Sequence, residues 1–119
     1  MNDIEIFDSN GLGYSKIHCF GKWCVALINY ADKLKTADKM RLEKHLLTDE
    51  VFLLIKGNAV LFIGEKLEEI PMEKGKVYNV KKGIWHTITL SEDARVAVVE
   101  NDKTGPQNTV YYKDGNYNV

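Results

Sequence analysis

The sequence predicts an all-β domain, a sandwich or barrel of short strands, and three observations carry that expectation. Some ten short runs of strand-forming residues are separated by turn signals rich in glycine, asparagine, aspartate and lysine. Helical periodicity is nearly absent, with only Ala31, Leu34 and Ala37 at a faintly helical spacing. The runs 51–55 and 96–99 are apolar on both faces, so one face packs a core and the other must also be covered.

In chain order, residues 4–7 read as a first short strand, broken by Asn10-Gly11 and Gly13. Residues 23–28 form a strongly apolar strand, and 30–39 a polar loop with at most one or two helical turns. Strands are expected at 40–45 and 50–56, joined by 46–49. Lys56-Gly57-Asn58 is a tight turn into 59–63, which predicts a hairpin of these two runs. Further strands follow at 66–70, 77–80, 85–90, 95–100 and 109–112, each set off by turn residues such as Glu73-Lys74-Gly75 and Gly105-Pro106. There is no internal repeat, and the tail beyond Asp114 is expected to fray. The double-sided apolar runs, with Trp23 and Trp85, carry more apolar surface than one small barrel hides, which predicts a homodimer.

The chain of 119 residues is of single-domain size, so residues 1–119 are expected to share one core. Its 45% apolar and 28% charged residues are ordinary for a globular domain. With 16 basic and 17 acidic side chains spread along the chain, no basic face points to nucleic acid. No apolar run reaches the roughly 20 residues of a membrane-spanning helix, so no membrane partner is expected. The acidic start lacks the pattern of a secretory leader, which predicts a cytoplasmic protein. In that reducing compartment Cys19 and Cys24 are expected to be buried free thiols.

Two of the three histidines stand beside strand carboxylates. Side chains alternate along a strand, so Arg41, Glu43 and His45 project to one side. Glu50 shares its face with Phe52 and Leu54, and His86 shares its face with Ile88 and Leu90. Charged groups among apolar neighbours are costly unless they are paired or bound to a metal. Taken singly, His45 or His86 reads as a satisfied core histidine, and Arg41 reads as a salt-bridge partner of Glu43. Trp85 alternates away from His86 and reads as packing or a subunit contact, while Tyr78, Tyr111 and Tyr112 read as ordinary strand residues. Glu100 and His18 have no evident role.

The stretches RLEKHLLTDEVFLLIKG, residues 41–57, and GKVYNVKKGIWHTITL, residues 75–90, resemble the two motifs of the cupin superfamily. The first motif has the form G-x5-H-x-H-x(3–4)-E-x6-G, and His45, Glu50 and Gly57 keep its spacing. The second has the form G-x5-P-x-G-x2-H-x3-N, and Gly75, Gly83 and His86 match it. Glu43 stands where the first histidine would be, and Lys81 and Leu90 replace the proline and the asparagine. The resemblance implies a double-stranded jelly-roll β-barrel. It also implies a metal set of Glu43, His45, Glu50 and His86, suited to divalent Fe, Mn, Ni or Zn. A narrower similarity, Glu43-Lys44-His45 with Gly83-Ile84-Trp85-His86, is to ureidoglycolate lyases, cupin-fold enzymes that split ureidoglycolate into glyoxylate and urea.

These resemblances imply a metal-dependent lyase or isomerase acting on a small polar metabolite, a carboxylate or sugar derivative. Glu43 and Glu50 are the candidate catalytic groups, and Arg41 is the candidate anchor for a substrate carboxylate. The competing expectation is a non-catalytic cupin whose metal-free pocket holds a small-molecule ligand, as a sensor or accessory subunit.

Overall fold

The computed structural model describes residues 3–36, 42–105, 108–113 and 116–117. Among the described residues eleven strands are formed: β1 (Gly13–Phe20), β2 (Trp23–Asn29), β3 (Leu42–His45), β4 (Glu50–Lys56), β5 (Ala59–Ile63), β6 (Glu68–Pro71), β7 (Tyr78–Val80), β8 (His86–Leu90), β9 (Arg95–Asn101), β10 (Thr109–Lys113) and β11 (Asn116–Tyr117). A 3₁₀ turn, Asp32–Leu34, follows β2. The strands make two antiparallel sheets, a five-stranded one in the order β1-β2-β9-β4-β7 and a six-stranded one in the order β11-β10-β3-β8-β5-β6. This is the jelly-roll arrangement that the resemblance implied.

Cross-strand register stacks the inward side chains of the five-stranded sheet in rows. Ile28, Val96 and Leu54 form one row, and Ala26, Val98 and Phe52 the next. Ile88 and Leu90 of β8 join the same core from the facing sheet, and all eight residues are buried. The following row toward the other end is Cys24, Glu100 and Glu50. The barrel therefore changes from apolar to charged within one step of the pleat, and this charged end positions the site.

Several expectations need correction. The runs 50–56 and 59–63 are strands with the expected bounds, but they are not a hairpin. β4 pairs with β7 and β9, whereas β5 pairs with β6 and β8 in the other sheet. The turn between them is a corner where the chain changes sheets. Gly57 has φ 73°, and a Cβ there would sit 2.6 Å from the Cα of Ala94, so the tight approach of two chain segments demands glycine.

Residues 4–7 form no strand. Instead the N-terminal segment is tied by Arg95, which donates to the Asp8 carboxylate and the Ser9 carbonyl, and by Asn29, which donates to the carbonyls of Ser9 and Gly11. The edge strand β1 escaped the sequence reading because its inward positions Tyr14 and Lys16 are polar, so no apolar alternation marks it. The expected frayed tail includes β11, which pairs with β10. Arg41 lies outside the described residues.

The expectation of buried free thiols is also overturned. Cys19 and Cys24 oppose each other in the β1–β2 register and form a disulfide, with Cys24 buried and Cys19 exposed. Hairpin register, with Cys19 directly opposite Cys24, brings the two sulfurs together. Closing so short a loop contributes about 2 kcal/mol by chain entropy.

Candidate metal centre

β3 places Glu43 and His45 two residues apart on one face, and β8 sets His86 directly across from Glu43 in the same sheet. Glu50, the first residue of β4, faces them from the opposite sheet. Its Oε1 lies 3.1 Å from Nε2 of His45 and 3.2 Å from Nε2 of His86. Oε1 of Glu43 stands slightly farther out, 3.7 Å from His45 Nε2 and 3.6 Å from His86 Nε2. His45, Glu50 and His86 are buried, and the Glu43 side chain keeps 34% of its surface.

One donor atom from each of these residues lies within 4.8 Å of all the others, so the four could hold a metal ion. The donor chemistry fits a divalent transition metal. Zinc bonds of about 2.0–2.2 Å to nitrogen and oxygen place neighbouring ligand atoms roughly 3–3.5 Å apart, close to the separations seen here. Two imidazoles with two carboxylates suit Fe, Mn, Ni or Zn alike.

Hydrogen bonds behind the histidines fix which nitrogen faces inward. His86 Nδ1 donates to the Ile84 carbonyl at 3.0 Å. His45 Nδ1 meets Thr109 Oγ1 at 2.9 Å, and the Thr109 hydroxyl donates its own proton to the Gly105 carbonyl. Thr109 must then accept from His45. Both rings are thereby held with Nδ1–H outward and Nε2 toward the carboxylates, the support that metal-binding histidines ordinarily have.

Without a metal the charges compensate one another. Burial works against the Glu50 carboxylate, but hydrogen bonds from His45 and His86, with their charge, bring its pKa down to about 2. Burial likewise opposes protonation of His86, yet its bonds to Glu43 and Glu50 and to the Ile84 carbonyl raise it to about 10.

A cavity of about 980 Å³ opens beside this cluster. Its lining includes Tyr14 and Lys16 of β1, Glu100 of β9 and Tyr111 of β10. Glu100 is 4% exposed, accepts a hydrogen bond from the Tyr14 hydroxyl and has a pKa raised to about 7, first by burial and also by the charge of Glu50. Sequence reasoning left Glu100 unassigned, although its place on the inward face of Val96 and Val98 was a signal. Tyr14 and Lys16 were missed with their strand, and Tyr111 was read as an ordinary strand residue. His18 lies on the other side of the sheet, stacked on Phe7 and edge-on to Trp23. Trp85 packs against Tyr112 with Lys44 over its ring.

The protonation pattern has two consequences with opposite signs. In the metal-free protein, the stability from His86 is complete below its ordinary value of 6.5 and is lost as pH rises through about 10. That from Glu50 is present above its ordinary 4.5 and is lost as pH falls through about 2. A metal held by His86 would have to displace its proton, so zinc affinity should rise about tenfold per pH unit between pH 6 and 9. Competition against a chromophoric chelator measures this, and a pH-independent affinity would exclude His86 as a ligand.

No protein-family model matches the sequence, and no curated protein matches it. Solved structures do match, at low identity and over most of the chain. A cupin-2 domain protein from Shewanella frigidimarina superposes with a TM-score of 0.60 at 18% identity, over 79% of this chain and 84% of that one. Pac13 from Streptomyces, a nucleoside dehydratase whose structure with uridine is known, gives a TM-score of 0.67 at 8% identity, covering 91% and 84%. KdgF from Halomonas gives a TM-score of 0.61 at 12% identity, covering 87% and 93%. Two antiparallel sheets joined by sheet-changing corners, together with these superpositions, give the chain the cupin fold.

Proposed function

We propose that the chain is a metal-dependent cupin enzyme, a lyase or isomerase acting on a small polar metabolite, with Glu43, His45, Glu50 and His86 holding a divalent Fe, Mn, Ni or Zn ion. The observation that carries this reading is the orientation of the two imidazoles. Both Nδ1 atoms are committed to acceptors behind the rings, and both Nε2 atoms converge on one buried carboxylate. A cavity large enough for a metabolite opens onto the same atoms. The dehydratase activity of Pac13, itself a carbon–oxygen lyase reaction, supports the reaction class, as does the short similarity to ureidoglycolate lyases.

The bound metal would supply Lewis-acid polarisation of a substrate carbonyl or hydroxyl oxygen. Glu50, held at full charge between two imidazoles, fixes the orientation of both rings. Glu43 is the more exposed carboxylate and makes the longer contacts, so it is the group able to turn toward a substrate and carry a proton. Thr109 and the Ile84 carbonyl act as positioning groups behind the rings.

Replacement of Glu43 by glutamine tests the assignment. Metal affinity should fall about 10–100-fold while the fold survives, because an amide is a neutral and weaker ligand. His45→Ala and His86→Ala should abolish metal binding. If Glu43 instead serves only as a partner of Arg41, metal content will stay unchanged and stability will drop. A Glu43→Gln variant with full metal affinity, beside histidine variants that lose it, would leave a three-ligand site without Glu43.

The same proposal pairs two copies of the chain through the outer face of the five-stranded sheet. Trp23, Val25, Val99, Val51, Leu53 and Ile55 point outward there, and Trp23 and Ile55 each keep 47% of their surface. Light scattering at micromolar concentration should give twice the chain mass, and a monomer would remove the pairing.

A further inference from the structure

The cavity has a second wall that the four clustered residues do not explain. Glu100 projects into it from β9 and stands beside Glu50 in the cross-strand register. It is 4% exposed and makes no ion pair with a described residue. The Tyr14 hydroxyl donates to its Oε1. Lys16, on the same inward face of β1 as Tyr14, lines the cavity and is exposed toward its mouth. This wall therefore holds two neighbouring carboxylates, while the donors of His45 and His86 are directed to Glu50.

A carboxylate can accept about four hydrogen bonds, and Glu100 accepts one from Tyr14, so it keeps acceptor capacity on the cavity side. A ligand that fits must bring hydroxyl hydrogens to Glu100 and an acid group to Lys16. We infer that Tyr14, Lys16 and Glu100 form a recognition subsite for a polyhydroxy acid, with Glu100 accepting from a ligand hydroxyl, the Tyr14 hydroxyl steering that carboxylate, and Lys16 pairing with the ligand's carboxylate. Cross-strand neighbours lie about 4.5–5.5 Å apart, so a hydroxyl read by Glu100 sits one or two carbons from an atom held at the His45–His86 cluster. The inference rests on the small-metabolite reading of the cavity and gives that metabolite its chemical class.

Calorimetric titration of the full chain, purified without chelators, tests it with three probes: D-gluconate, hexanoate and sorbitol. Gluconate has both features, hexanoate only the acid and sorbitol only the hydroxyls. Gluconate should bind at least tenfold more tightly than either of the others. Glu100→Gln and Tyr14→Phe should each weaken gluconate about tenfold, leaving hexanoate binding and metal content unchanged. Lys16→Gln should erase the preference for gluconate over sorbitol. Tyr14 is half exposed, so its variant keeps the test valid if Glu100→Gln does not fold. Equal binding of gluconate and hexanoate by the unaltered protein, no gluconate binding at all, or full gluconate affinity in the folded variants would overturn the subsite. Metal binding without gluconate preference would sink the subsite and leave the metal centre standing. A Glu100-dependent preference in protein that binds no metal would do the reverse.

Discussion

A carboxylate buried at the junction of two sheets sets the terms for the rest of this structure. Glu50 enters from the five-stranded sheet, and the two imidazoles that neutralise it come from the six-stranded one. Ionised groups in a protein interior cost several kcal/mol each unless their partners are well placed. At the charged end the two sheets are held by mutual compensation, whereas the rows beyond it are packed by apolar side chains, Val98 with Phe52 and then Val96 with Leu54. Loss of either histidine would leave Glu50 with one partner in place of two and weaken the interaction that joins the sheets there.

The same constraint explains the hydrogen bonds behind the rings. An imidazole free to rotate about its Cβ–Cγ bond could turn Nε2 away from the carboxylate, and the compensation would be lost with it. Thr109, itself anchored on the Gly105 carbonyl, and the Ile84 carbonyl remove that freedom. A site organised so fully before any ligand arrives is what ligation by fixed Nε2 atoms requires. Glu43 is the exception, with longer contacts to both rings and a third of its side chain exposed.

Much of this was legible in the sequence, and the reasons differ by element. The strands β4, β5, β8 and β9 are marked by apolar runs between glycine-bearing turns, and their bounds came out almost residue for residue. His45, Glu50 and His86 were legible because strand alternation places a charged group where an apolar one belongs. Pairing was not legible: Gly57 looks like a hairpin turn locally, and only its approach to Ala94 reveals the corner. β1 was silent because its inward residues serve a cavity and not a core, and Tyr14 and Lys16 were hidden with it. The cysteines were misread because two residues five apart on an unrecognised hairpin give no sign that they face each other.

Whether the cluster takes up a metal decides between a metal centre and a purely ionic one. Elemental analysis of the protein purified without chelators, followed by equilibration of stripped protein with Fe(II), Mn(II), Ni(II) and Zn(II), measures this directly. About one transition-metal ion per chain is expected, since one convergent set of four donors is present among the described residues. Protein that is isolated without metal and takes up none of the four ions, while folded and with its histidines intact, would contradict it.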